Sequence, residues 1–357
     1  MCEVHSSDVE KIRVQTVPVS EAVGMVLAHD ITEIRKAEFK GRAFRKGYVV
    51  KEEDISHLRR IGKERLFVLN VAEDELHEDD AANALAQALM GEGVKMEGEP
   101  REGKINIVAA RDGLLKVRAD SLRHFNMLGE VMCATLHNNT VVKRGQVVAG
   151  TRAIPLVVKK KLIEEATAIV KCAEMPLEVS KMRKPKTGIV ITGNEVYYGR
   201  IKDAFGPVIT KKIEEFGGEV VGSYYAPDDE SFIEARLREL LEAGADLLIT
   251  TGGMSVDPDD VTRFAVRKLG ATDITYGSAV LPGAMFLVAY LTHNSELIPV
   301  LGIPACGMYN RTTIFDLILP RVLAGETIGR RELAELGHGG LCLNCKVCSY
   351  PVCPFGK

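Results

Sequence analysis

The chain has 357 residues, of which 46% are hydrophobic, and a formal net charge of -3. That is enough for two or three packed domains, and it lacks the basic excess of a nucleic-acid-binding surface. Its opening, MCEVHSSDVEKIRVQ, is too polar for a signal peptide, and the longest apolar stretch, Ala279 to Leu291, is broken by Pro282 and Gly283. It also falls short of the roughly 20 apolar residues that cross a bilayer, so a cytoplasmic protein without a membrane or nucleic-acid partner is expected.

Residues 1–100 read as an α+β region. VSEAVGMVLAHDITEI precedes KGYVVKEEDISHLRRIGKERLFVL, which predicts a strand, a short helix capped near Glu53 and a second strand, LFVL. DDAANALAQALMGEG predicts a helix ended by glycines. Residues 101–184 carry the short apolar runs INIVAA, LLKVRA, EVMCATL, TVVK and QVVAG, parted by RDG, HNN and RG. This is the pattern of a small β-rich domain. KKKLIEEATAIV is predicted helical, and the Lys- and Pro-bearing linker LEVSKMRKPKTG marks a boundary near residue 185.

Residues 185–329 alternate strands and helices. TGIVIT is wholly apolar at its centre, as in a buried parallel sheet. Pro207 opens a helix with Ile209, Ile213 and Phe216 on one face, and Gly217 and Gly218 end it. After the strand EVVGSYYA, Asp228 is placed to cap a helix that turns Ile233, Leu237, Leu240 and Leu241 inward. ADLLITT is the next buried strand, and Asp257 is placed to cap a helix from Pro258 to Gly270. ATDITYG, MFLVAYL and LIPVLG follow as strands, then the helix TTIFDLILPRVLAG. This alternation predicts a doubly wound three-layer α/β domain with its ligand beyond the carboxyl ends of the strands. Residues 330–357 form a charged linker and a cysteine-rich tail.

Two loops follow buried strands: Thr192-Gly193-Asn194-Glu195, and Thr250-Thr251-Gly252-Gly253-Met254-Ser255. Glycines there allow close backbone approach, and their N–H groups, with a helix N-terminus near Pro258, suit a phosphate or pyrophosphate. Tight turns alone are the competing account of those glycines. Glu195, Asp228, Asp229, Asp257, Asp259 and Asp260 crowd the same edge. Beside a phosphate such carboxylates call for a bridging cation, Mg²⁺ above all, although helix capping also accounts for some of them.

Here a family resemblance enters. TGNEV resembles the TGDEL motif, and TTGGMS the TSGGVS motif, of the molybdopterin-binding domain found in molybdopterin molybdotransferases and gephyrin-like proteins. GRIKDAFGPVITKKIEEFGGEVV resembles the helix between those motifs. The LPG at Leu281, Pro282 and Gly283 and the GIP ending at Pro304 fall where the family has its KPG and GLPG loops. VSEAVGMVLAHDI resembles the molybdotransferase opening. The resemblance implies that adenylylated molybdopterin binds at the strand ends, where molybdate enters and the phosphoanhydride is hydrolysed with Mg²⁺. By position, Glu195, Asp228 and Asp259 are the implied catalytic residues, and Asp257 and Asp260 the metal ligands. Thr192, Gly193, Asn194, Thr251, Gly252, Gly253, Ser255, Pro282, Gly283 and Pro304 would hold the cofactor. A homodimer is implied, with a molybdoenzyme or another cofactor-synthesis protein as partner.

The chain departs from the family where two lysines are expected: LPGAM stands in place of KPGKP, with Leu281 and Ala284 at the lysine positions. The family's GNPVS loop reads Ala305-Cys306-Gly307-Met308, and AEFKGRAFRKGY stands near the position of its PPFDNSAMDGYA segment. Three readings stand side by side. The chain is a molybdotransferase with replaced lysines, or a non-catalytic carrier or sensor of the cofactor. The third is a nucleotide pyrophosphatase, because TGG followed by PDD also resembles the competence-damage-protein family.

Of eight cysteines, four form the run Cys342-x2-Cys345-x2-Cys348-x4-Cys353-Pro354. Such terminal clustering reads as a metal site rather than a disulfide framework. The spacing resembles the ferredoxin run C-x2-C-x2-C-x3-C-P with one extra residue, and four thiolates also suit tetrahedral Zn²⁺. An Fe–S cluster or zinc in a tail separable from the core is therefore expected. Cys306, in a predicted ligand loop, is a candidate to meet the cofactor.

Overall fold

A computed structural model of the chain describes residues 14–35, 39–69, 71–172, 176–254, 257 and 260–357. The chain divides into two compact units, one comprising 1–110, 117–136 and 144–178, the other 111–116, 137–143 and 179–357.

In the first unit, strands Val14–Pro18, Arg65–Leu69 and Val26–Leu27 form an antiparallel sheet. With helix Asp54–Arg60 it encloses Leu27, Leu58, Leu66 and Val68. The expected strand in KGYVV does not form; Val49 makes one isolated bridge to Val26. A second sheet runs in the order Val131–Thr135, Val147–Ala153, Lys104–Ala109, Val94–Arg101, and helices Glu78–Leu89 and Lys160–Cys172 accompany it. The apolar runs read as strands are strands. Helix Ala119–Asn126 was not foreseen; it is eight residues long and buries only Ser121 and Phe125. TVVK and LLKVRA contribute Thr140–Val142 and Gly113–Val117, which pair antiparallel and, apart from Val117, belong to the second unit.

The second unit is built on six strands: β1 (Lys186–Thr192), β2 (Glu219–Ala226), β3 (Leu247–Thr251), β4 (Thr272–Tyr276), β5 (Leu287–His293) and β6 (Glu296–Ile303). Their order is β2-β1-β3-β6-β5-β4. Four long helices accompany them: α1 (Phe205–Glu215), α2 (Glu230–Glu242), α3 (Thr262–Lys268) and α4 (Ile314–Leu323). Side chains alternate across the sheet. Ile189, Ile191, Ile249 and Ile303 pack with Ile209 and Ile213 of α1 and Phe315 and Ile318 of α4. Val190, Leu248 and Val300 pack on the other side with Ile233 and Leu237 of α2 and Ala265 and Val266 of α3. A strand's period of two thus serves two separate cores.

The sheet is mixed rather than wholly parallel. β2, β1, β3 and β6 run parallel, whereas β5 is antiparallel to both neighbours. The cause is local: His293 pairs with Glu296 across a two-residue turn in which Asn294 and Ser295 have φ of 49° and 66°. Two positive-φ residues make the hairpin turn that matches strand twist, so β6 must fold back on β5.

The C-terminal residues are not a detached tail. After helix Arg330–Glu335, Leu341 bridges Leu281, Phe355 is 2% exposed in the core shared with α1 and α4, and Tyr350 donates to the Asp316 carbonyl at 3.3 Å. No described helix is long and apolar enough to cross a membrane.

Candidate functional site

The parallel strands β1, β3 and β6 end side by side, and their first loop residues are tied together below the surface. Thr192, the last residue of β1, donates its hydroxyl to the Thr251 carbonyl at 2.8 Å. The same oxygen lies 3.2 Å from the Thr262 hydroxyl, which bonds the Gly252 carbonyl at 3.1 Å. All three threonines are buried. The hydroxyls of Thr250 and Thr251 are buried without a hydrogen-bond partner among the described residues.

Above these threonines the chain requires glycine. Gly252 and Gly253 have φ of +79° and +58°. A Cβ on Gly252 would lie 2.6 Å from the Thr192 carbonyl oxygen, and one on Gly253 would collide with Thr262 Oγ1. The backbone is therefore pressed onto its floor, leaving the ligand side free of side chains.

Three loops surround one cavity of about 420 Å³: residues 252–254 after β3, 281–285 before β5 and 304–306 after β6, with Asp260. Of the expected site residues the structure brings together Gly252, Gly253, Asp260, Pro282, Gly283 and Pro304. Thr192 and Thr251 lie in the hydrogen-bonded floor rather than on the wall. Asp260 is the only charged side chain among the described lining residues, and Leu281 and Ala284 face the cavity where the resemblance expects lysines.

Other expected residues do not join that wall. The Asn194 N–H donates to Asp228 Oδ2 at 3.0 Å, and the Asp228 N–H donates to Asn194 Oδ1 at 3.3 Å. Asp228 thus clasps the β1 loop, and Asp229 is the cap of α2, accepting the Phe232 N–H at 2.7 Å. The expected capping by Asp228 is corrected accordingly. Glu195 is exposed beside Gly193, in the short helix Asn194–Tyr197. Asp257 is exposed, and its N–H donates to Asp260 Oδ2 at 2.8 Å. α3 starts at Thr262 without a side-chain cap, and Pro258, where the sequence reading begins that helix, lies outside the described residues. Ser255 and Asp259 lie outside the described residues. Among the described residues no three His, Cys, Asp or Glu side chains gather to hold a metal ion.

Two contributors escaped the sequence reading. Thr262 ties both loops, and its only mark was a hydroxyl two places after Asp260. Tyr276 of β4 donates to the Met254 carbonyl and lies 3.1 Å from Met285 Sδ, bracing two walls; burial raises its phenol pKa. Cys306, a candidate from its loop, does line the cavity. Burial raises its thiol pKa, which favours the protonated form.

The tail cysteines stand apart from this cavity's lining. Cys342, Cys345, Cys348 and Cys353 all line a second cavity, of about 270 Å³, with Arg311 and Thr312. The thiols surround that space without converging as ligands of one ion.

Against known families, residues 188–324 match the model described as "Probable molybdopterin binding domain", and residues 16–70 match a domain of unknown function. The chain is 42% identical over 89 residues to a CinA-like protein of Mycobacterium avium, covering 24% of this chain and 20% of that protein. It is 43% identical over 93 residues to one of Mycobacterium tuberculosis, covering 25% and 22%. It thus spans about a fifth of the length of these relatives. Among solved structures, the tungsten cofactor synthesizing protein MoaB of Pyrococcus furiosus aligns at 19% identity and a TM-score of 0.32, over 40% of this chain and 96% of that one. The molybdopterin biosynthesis MoeA protein of Pyrococcus horikosii aligns at 17% and 0.32, over 90% and 76%.

Proposed function

We propose, from a chain whose residues 188–324 form a domain of the molybdopterin-binding family, that the protein holds molybdopterin or its adenylylated form in cofactor synthesis or delivery. The observation that carries this is the Gly252–Gly253 backbone pressed against buried threonines at the floor of a cavity. The N–H groups of such a turn can donate to a phosphate, and walls uncharged apart from Asp260 suit a flat heterocycle.

The cavity wall favours the carrier over the transferase. An enzyme acting on molybdate and a phosphoanhydride needs cations against developing negative charge. Leu281 and Ala284 supply none, and the described carboxylates are dispersed. Mg²⁺ commonly enters with one or two carboxylates and the substrate's own phosphates, and Asp260 is the residue placed to meet it. Incubation with adenylylated molybdopterin and molybdate separates the two forms. Tight binding without turnover supports the carrier. Turnover that falls roughly 100-fold in Glu195→Gln, the scale of losing a positioned acid–base group, establishes the enzyme.

A second reading, hydrolysis of a nucleotide-type pyrophosphate, draws on the identity with the CinA-like proteins over 89 and 93 residues. The tail we read as a site for a thiophilic ion or an Fe–S cluster. Its four thiols face one space, although they must close in to share an ion.

A further inference from the structure

Arg263, in the first turn of α3, is a cation held in place without an anion. Its guanidinium carbon stands 4.8 Å from the ring centroid of Phe264 and 5.6 Å from that of Tyr276. Among the described residues its Nε is buried with no hydrogen-bond partner, and the guanidinium enters no ion pair. Two neighbouring rings steady such a group without using its in-plane donors, and a guanidinium is charged at every ordinary pH. A buried charged donor left unmatched is costly, so its retention calls for a partner that binds later. Both neighbours of Arg263 belong to the candidate ligand cavity's frame. Thr262 Oγ1 bonds the Gly252 carbonyl at 3.1 Å. Tyr276 donates its hydroxyl to the Met254 carbonyl and lies 3.1 Å from Met285 Sδ, and both methionines line the cavity. Burial raises the Tyr276 phenol pKa; Arg263 pulls it down and the wall carboxylate of Asp260 pushes it up, so both charges lie near that hydroxyl.

We propose that Arg263 is the cation that holds the phosphate group of a ligand in this cavity, in place of the lysines missing at Leu281 and Ala284. This rests on the reading of the cavity as the ligand site. Leu281 and Ala284 bring no charge to the wall and Asp260 brings a negative one, so an anion over Gly252 and Gly253 needs its countercharge from beside the wall. Arg263 is the residue next to the threonine that pins the glycine loop, and only the Tyr276 ring separates its guanidinium from the wall residues Met254 and Met285. A charge so placed holds a phosphate without touching a reacting centre, which accords with a carrier. The chemistry is common to a pterin phosphate and a nucleotide pyrophosphate, so the assignment concerns the anion and not the heterocycle attached to it.

Isothermal titration of the full chain with inorganic pyrophosphate tests this without a heterocycle. Arg263→Met keeps an unbranched stem against both rings and deletes the charge. Arg263→Lys keeps the charge and loses the planar fork. Arg267→Met removes an exposed cation of the same helix and serves as the control. We expect one saturable site in the native chain, at least tenfold weaker in Arg263→Met, intermediate in Arg263→Lys and within twofold of native in Arg267→Met, with a shared unfolding midpoint. The same series with molybdopterin and with ADP-ribose shows which source carries the anion, the loss in Arg263→Met following whichever of them binds. Pyrophosphate held equally by the native chain and Arg263→Met, or no more tightly by Arg263→Lys than by Arg263→Met, overturns the assignment and leaves the cavity's own reading standing. A native chain that binds no pyrophosphate overturns it as well, while the pterin reading keeps its separate binding test.

Discussion

The hydroxyl of Thr192, at the end of β1, lies 3.2 Å from that of Thr262, in the first turn of α3, and between them they hold the carbonyls of Thr251 and Gly252. Thr262→Val keeps the shape and deletes the polar link. It should cost about 1–3 kcal/mol, the penalty of leaving buried partners unsatisfied. Ligand affinity should fall at least tenfold as the glycine loop loosens. Denaturant titration beside a binding isotherm checks both, and an unchanged midpoint would show that the floor is held by something else.

The glycines of that loop should rank by what surrounds them. Gly244 also has positive φ, at +87°, but an added Cβ there meets open space, so Gly244→Ala should cost only about 1 kcal/mol of backbone strain. Gly252→Ala adds a 2.6 Å approach to the Thr192 carbonyl and should cost clearly more. Equal losses at the two positions, measured by thermal unfolding, would mean that the loop yields and forms no rigid cradle.

The C-terminal residues should matter to the core. Phe355 is 2% exposed among α4 residues, so Phe355→Ala should destabilise the second unit by about 3–5 kcal/mol. Val352→Ala, at a side chain 85% exposed, should stay within about 0.5 kcal/mol. Truncation before Gly337 should therefore weaken the fold and not merely release a metal. A truncated chain with the full chain's unfolding midpoint would refute this.

What the sequence revealed and what it concealed divide on physical lines. The buried strands of residues 185–303 were legible because apolar runs ended by glycine have few other uses, and the strand-end loops followed from them. Adjacent carboxylates were not separable: Asp228 and Asp229 are equally good caps by type, and only the path of the chain makes Asp229 reach the Phe232 N–H. The reversal at β5 hung on Asn294 and Ser295, whose positive φ no apolar pattern encodes. In the tail, cysteine spacing drew the reading to a metal, whereas Tyr350 and Phe355 fasten the segment to the core.

Glu78 offers a test in the first unit. It is 2% exposed, and burial, reinforced by Asp79 and Glu102 against the pull of Arg152 and Lys46, raises its pKa above the ordinary carboxylate value. In the raised case the folded chain holds the proton longer than the unfolded chain. The stability Glu78 contributes is then present below its unfolded pKa and lost as pH climbs from 4.5 through the folded value. Glu78→Gln should flatten this part of the stability profile. A native profile that rises as steeply with pH as before the residue's ionisation would contradict it.

The central claim is that the cavity over Gly252 and Gly253 receives a molybdopterin. Isothermal titration of the full chain with molybdopterin under anaerobic conditions, beside Ala284→Glu, tests it most directly. Ala284 lies on the cavity wall, and a carboxylate there repels the phosphate and fills space without touching the glycine floor. The account predicts one saturable site in the native chain and at least a tenfold loss in a variant with the native unfolding midpoint. Equal affinity in the two, or binding of a nucleotide pyrophosphate such as ADP-ribose with none of molybdopterin, would contradict it.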